Sequence, residues 1–438
     1  MSGRLQFTLV GALASTVAVV PAVAQTPILA GAGQPPSIAA VSTVAPFYNI
    51  FKSQQVWFRG GVPSPAIGQM VTILRQAPIE GFAAGPQLAA SVEAAVARAA
   101  SRTPADLAAA DQAVSAAWVQ YVQSLKRPTP GMYYAYPTLA PQGARADQIL
   151  LTAAGAPSLE RYVVATAAVN PIYSAIRSAA LSEAQATGKT VPDPRVLANL
   201  ERARTIPGTG RYVVVDIAGQ RMTMFDNGQA VDSMKIIVGK SQYPTPQIAS
   251  YISYITLNPY WDSPDHLVRE AIAPNVLRQG AGYMKTKGYE VMADWSPTSA
   301  VVPWDQVDWK SVSAGKTHIR VRQKPGPDNF MATMKIPFVN DDDIYLHDTP
   351  TKSLFAKTDR ALSNGCVRLE DAPRFARWLM RGPDPVAGST EPEQHIKLPQ
   401  SVPVYLTYLT AQPRDGKLTY TADFYGLDKA ASAKIASR

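Results

Sequence analysis

Hydrophobic patterning changes along the chain near residue 205. From Pro46 to about Leu200 the apolar positions fall at helical spacing in an Ala-rich background. The best-marked segment starts at Thr103, a potential N-cap, with Pro104 at the first helical position and Asp106 completing a start like a capping box. Leu107, Val114, Trp118, Tyr121 and Leu125 then share one face until Pro128 and Pro130 end the helix. A helix pair is expected over 158–187. After Pro207 the period shortens. Strands are predicted at 212–217, 221–225, 233–238 and 250–257, with Asn227-Gly228 at a turn. A long stretch rich in Pro, Gly, Trp and Lys follows, and strands resume at "DIYLH" (343–347). A helix is expected at 372–379, and a closing hairpin turns at Asp415-Gly416.

The pattern predicts an α+β chain with a mainly helical scaffold domain over 46–204. A β-rich domain, mixed sheet or sandwich, follows over 205–427, with an irregular capping insertion at about 262–338 and a tail at 428–438. Insertions of this kind often cover active sites. Tyr283, Tyr289, Trp295, Trp304 and Trp309, with Lys285 and Lys287, could meet a substrate there, although most of these aromatics are expected to pack the insertion.

The amino terminus adds a compartment. One basic residue, Arg4, precedes an apolar run over 5–20 and the small-x-small triplet Ala22-Val23-Ala24. That is the layout of a secretory signal peptide cleaved after Ala24. The run is short for a bilayer span of roughly 20 residues. Residues 25–45 read as a flexible leader, and the mature chain is expected to be exported without a stable membrane span. Net charge is +9, an excess that favours anionic surfaces. No Arg/Lys-rich arm or nucleic-acid motif is present, so no nucleic-acid partner is expected.

Export sharpens the reading of the chain's single cysteine, Cys366. It cannot pair within its own chain, which leaves an intermolecular disulfide, an inert buried thiol or a reactive one. Its setting, "RALSNGCVRLED", is polar and turn-forming. His347 ends a strand 19 positions earlier (366 − 347) and is flanked by Asp348 and Thr349. A histidine at this position is a candidate general base for the thiol. Asn364-Gly365 readily takes positive φ, and the turn could aim the Gly365 and Cys366 N–H groups at an oxyanion. A helix beginning just after the cysteine would favour thiolate. Arg368 offers a grip for a carboxylate, with Ser363 and Asn364 supporting the loop. His266, His318 and His395 are read as structural, and Asp341, Asp342 and Asp343 as a solvated turn.

"IYLHDTP" and "RALSNGCVRLED" together resemble the signature of L,D-transpeptidases with the YkuD-type catalytic domain. "FYNIFKSQQVWF", "ANLERARTIP", "IIVGKSQYPTP", "ITLNPYW" and "VRQKPGP" resemble the longer, YcbB-like branch. Asn364 departs from the family, many of whose members carry a second histidine there. The resemblance implies a periplasmic enzyme that cross-links peptidoglycan stem peptides by cysteine acyl transfer. On that reading Cys366 is the nucleophile, His347 the base and acid, and Gly365 an oxyanion donor. Arg368, Ser363, Asn364, Asp348 and Thr349 would meet substrate. No metal or cofactor is implied, carbapenems are expected acylating agents, and other wall-synthesis proteins are candidate partners. The same site could serve a hydrolase or anchor a lipoprotein to the wall. A wall-binding scaffold and a redox protein acting through Cys366 are the readings outside this chemistry.

Overall fold

The computed structural model describes residues 43–52, 55–189, 192–296, 298–385, 387–388 and 390–429. The expected signal peptide, most of the leader and most of the tail lie outside the described residues.

The first half is built from helices α1 (Ala45–Ile50), α2 (Ala66–Gln76), α3 (Gly85–Arg98), α4 (Pro104–Leu125), α5 (Ala146–Gly155), α6 (Leu159–Ala168), α7 (Pro171–Thr187) and α8 (Pro194–Ala203). α4 starts as its sequence dictates: Thr103 Oγ1 accepts from the Asp106 N–H at 3.2 Å, which satisfies a donor that the first turn leaves open. Trp118 and Tyr121 on its apolar face are fully buried. Asp111, also buried, accepts from the N–H groups of Val56, Trp57 and Phe58 and ties that segment to the helix.

The second half is a sheet of β1 (Tyr212–Asp216), β2 (Arg221–Asp226), β3 (Gln229–Gly239), β4 (Ile248–Leu257), β5 (Met334–Pro337), β6 (Tyr345–His347), β7 (Ala361–Ser363), β8 (Val367–Leu369) and β9 (Gln394–Thr407). Neighbours run β4-β5-β6-β8-β3-β2-β1-β9. β9 also pairs with β4, so the sheet closes on itself. The device is one long strand with two partners: residues 404–407 run parallel to β1, while the strand lies antiparallel to β4 with a register shift between Lys397 and Val402. Val213, Met224, Ile236, Leu346, Val367 and Val404 fill the interior, joined by Phe375 and Leu379 of α9 (Ala372–Met380).

α8 docks the helical half onto this sheet through buried polar contacts. Asn199 Nδ2 donates to Thr410 Oγ1 at 2.7 Å, and Arg202 Nη1 donates to the Tyr408 carbonyl at 3.0 Å and to Asp428 at 2.6 Å. Met132, Leu139 and Ile206 pack with Tyr212, Phe225 and Tyr405 beside them.

The insertion between β4 and β5 has more order than its texture predicts. Strands Trp261–Asp262, Arg320–Gln323, Tyr289–Met292 and Val301–Val302 form a four-stranded antiparallel sheet in that order. Val268, Ile272, Val276, Trp309 and Val321 give it a core of its own. It is therefore a small packed body and not an irregular loop.

Candidate active site

β6 and β8 lie side by side in parallel, with Leu346 opposite Val367 and His347 opposite Arg368. Alternation along a strand then divides the side chains. Leu346 and Val367 point into the core, where both are fully buried. Tyr345, His347, Cys366 and Arg368 share the other face and line one cavity of about 210 Å³. In this register Cys366 stands beside Tyr345, so His347 is its diagonal neighbour along the same face. With strands about 4.8 Å apart and a rise of about 3.3 Å per residue, this diagonal is roughly 8 Å at the backbone, and both side chains line the same cavity.

His347 is buried, and its Nδ1 lies 2.5 Å from the Asp348 carbonyl oxygen. A carbonyl only accepts, so Nδ1 carries the proton and Nε2 is left as the basic nitrogen. Burial, and then the adjacent Arg368 guanidinium, push the His347 pKa down to about 3. Lys335, opposite His347 on β5, adds to the same effect.

Burial also dominates at Cys366 and pushes its thiol up to about 11, although a backbone and a side-chain hydrogen bond from Tyr345 oppose it. The thiol donates to the Asp343 carbonyl at 3.6 Å. The resting pair is thus a neutral thiol beside a neutral imidazole. This corrects the expectation of a thiolate held by a helix N-terminus: β8 separates Cys366 from α9, whose first turn is capped by Asp371. Alkylation by iodoacetamide checks the point, since the thiolate is the reactive form. With a thiol pKa of about 11, the rate should climb roughly tenfold per pH unit between about pH 7 and 10. A plateau already reached at neutral pH would contradict the burial argument.

The "SNG" turn has φ +116° at Gly365, and a Cβ there would meet Ile344 Cδ1 at 3.1 Å, so only glycine fits without strain. Ser363 binds the turn together: its Oγ donates to the Cys366 carbonyl at 2.6 Å and accepts from the Gly365 N–H at 3.2 Å. The Gly365 N–H is therefore directed into the turn, and the expected pair of oxyanion donors is not assembled from it. The other expected site residues divide. Ser363, Asn364 and Arg368 line the cavity. Arg368 is mostly buried, with Nε unpartnered among the described residues, and burial lowers its pKa.

Asp348 and Thr349 do not line the cavity. Both are buried, and the Asp348 carboxylate is held by Lys352 at 2.6 Å and by Thr333 Oγ1 at 2.8 Å. They brace the strand end outside this cavity.

Tyr345, which touches the thiol, and Lys335 escaped sequence reasoning, although Tyr345 stands two places before the candidate base in "DIYLH". The insertion supplies walls from Trp261, Leu267, Tyr283, Tyr289, Phe330 and Met331. Of the other aromatics singled out, Trp309 is buried in the insertion's core, whereas Trp295 and Trp304 are exposed. Among the remaining histidines, His318 pairs with Asp265 at the surface and His395 bonds Thr256. His266 stacks on Tyr243 with ring centroids 4.2 Å apart.

Comparison with known proteins gives matches in both halves of the chain. A model of the L,D-transpeptidase catalytic domain, YkuD, matches residues 210–387, and a scaffold-domain model matches residues 42–179. A Haemophilus influenzae protein named "Putative L,D-transpeptidase" is 31% identical over 241 residues, 53% of this chain and 47% of that protein. The match thus spans about half the relative's length. An L,D-transpeptidase from Mycobacterium smegmatis aligns at 14% identity and a TM-score of 0.23, over 46% of this chain and 59% of that one. The Ldtfm-avibactam carbamoyl enzyme aligns at 13% identity and a TM-score of 0.22, over 46% and 50% of the two chains. The chain carries a catalytic domain of the YkuD L,D-transpeptidase family behind a scaffold domain, the YcbB-like arrangement.

Proposed function

We propose that the protein is an exported L,D-transpeptidase that forms 3–3 cross-links between peptidoglycan stem peptides. The observation that carries this reading is the shared face of β6 and β8, where Cys366, His347 with Nε2 free to act as base, and Arg368 open into one cavity. The amino-terminal layout supports a periplasmic location.

The chemistry follows from the neutral resting pair. The carbonyl of the donor's third residue enters the cavity, and a carboxylate of the donor pairs with the Arg368 guanidinium. Sγ attacks the carbonyl carbon while His347 Nε2 takes the thiol proton, so no free thiolate has to persist in the apolar pocket. Negative charge moves to the carbonyl oxygen, which the Cys366 N–H stabilises. Collapse breaks the bond to the terminal D-Ala, whose amine leaves with the proton from Nε2, and a thioester remains. The acceptor's side-chain amine then attacks the thioester and gives its proton to Nε2. Expulsion of the sulfur, reprotonated from Nε2, restores the enzyme and completes the new amide. The aromatic walls from the insertion favour an amine over water at the thioester stage.

Mass spectrometry of residues 25–438 incubated with purified disaccharide-tetrapeptide tests the proposal. The expected products are an acyl-enzyme on Cys366 and a dimer lacking one D-Ala. Loss of D-Ala without any dimer would replace cross-linking by hydrolysis. Correctly folded protein that gives neither species would overturn the reading.

A further inference from the structure

We infer that Thr245, far from the motif in sequence, is the positioning residue that aims the oxyanion donor; this rests on the transpeptidase reading. The argument starts from the peptide joining Gly365 to Cys366. Its oxygen belongs to Gly365 and its N–H to Cys366, and in a trans peptide the two point in opposite directions. All described peptide bonds are trans. Thr245 Oγ1 donates to the Gly365 carbonyl at 2.6 Å, a buried bond. Thr245 does not line the cavity that holds Cys366. With Tyr425 and Gln247 it lines a second cavity, of about 340 Å³. A carbonyl drawn towards Thr245 turns the Cys366 N–H the other way, to the side where the substrate oxygen gains charge.

Thr245 is itself fixed from three sides. Its Oγ1 accepts from the Gly239 N–H at 2.9 Å, so the hydroxyl proton is left for Gly365. Its own N–H donates to Tyr425 Oη at 3.0 Å, and that phenol donates to the Gly239 carbonyl at 2.5 Å. The ring of bonds joins the end of β3, the loop after it, the C-terminal segment and the catalytic turn. Gly239 admits this approach because a Cβ there would lie 2.1 Å from the Tyr243 carbonyl oxygen. Since the Gly365 N–H is directed to Ser363, the orientation of the one peptide that Thr245 holds matters more.

The test separates aiming from folding. Losing one oxyanion donor costs about 10²–10³-fold in rate, and misaiming it should cost at least about tenfold. Thr245→Val is expected to lower the first-order rate of Cys366 acylation by a carbapenem by that factor, with little change in the concentration dependence. Iodoacetamide alkylation of Cys366, which develops no oxyanion, should stay within about twofold of wild type. Thr245→Ser, which keeps the hydroxyl, should restore most of the acylation rate. Tyr425→Phe leaves the hydroxyl but frees its anchor and should fall between, and it carries the test if Thr245→Val does not fold. Equal loss of acylation and alkylation, or no loss of either, in a competent background would overturn the inference. A wild-type protein that alkylates but never acylates would instead overturn the transpeptidase reading on which the inference rests.

Discussion

Cys366→Ser is expected to lower dimer formation from disaccharide-tetrapeptide by on the order of 10⁴-fold or more, because members of a nucleophile–base pair act as a unit. The loss should be far greater than the small change of atom suggests. His347 is a weak base, with its pKa held down at about 3 by burial and by Arg368. It can take a proton from a thiol pushed up to about 11 only as the carbon–sulfur bond forms. A hydroxyl is a poorer acid and a poorer nucleophile, so the same base in the same apolar pocket cannot drive it. Folding should be indifferent. The contacts named for Sγ, with the Asp343 carbonyl and Tyr345, are ones a hydroxyl can also make. Thermal melting within about 2 °C of wild type, with no acyl-enzyme mass and no dimer, is the expected result. Substantial turnover by the serine variant would mean that Cys366 does not carry the chemistry.

The features legible in the sequence share a physical property: each is encoded within a few neighbouring residues. Thr103-Pro104 writes its helix start locally, and α4 begins there. Gly365 announces a turn that only glycine can make, and it adopts φ +116°. The motif around Cys366 and His347 was readable for the same reason. Distant neighbours decide the remainder. The protonation states of the two residues are set by Arg368, which the motif contains, but also by walls drawn from Trp261 to Met331 and by Lys335, which the local motif does not specify. The helix expected to stabilise thiolate is displaced by three residues of β8, a strand too short to stand out as a pattern. Closure of the sheet depends on β9 holding two partners, and no periodicity distinguishes that from an ordinary strand. The Thr245 contact crosses 120 residues of sequence. Local chemistry named the candidate groups, whereas tertiary packing set their charge and aim.

His347→Gln should lower acylation of Cys366 by about 10²–10⁴-fold, the range typical of a positioned acid–base group. The pH signature makes this more than a loss-of-function result. The imidazole must be neutral to act, and with its pKa lowered to about 3 it stays neutral throughout the usual assay range. Wild-type acylation should therefore show no fall attributable to histidine between pH 7 and 5, where an ordinary histidine would protonate. The same shift has a consequence for stability, with a definite sign. Below the unfolded pKa of about 6.5, the unfolded chain binds a proton at His347 that the folded chain refuses. Stability from this group is hence present above that pH and is lost as pH falls towards the folded value. Glutamine has no such proton to bind, so the variant's melting temperature should decline less steeply from pH 6.5 to 4 than that of wild type. A histidine that is merely structural would give the stability difference without the kinetic one. Parallel loss of acylation and flattening of the stability curve would identify a buried, neutral base. Acylation in wild type that falls tenfold between pH 7 and 5, and in step with one titrating group, would instead mean that His347 is solvated and the cavity open to water.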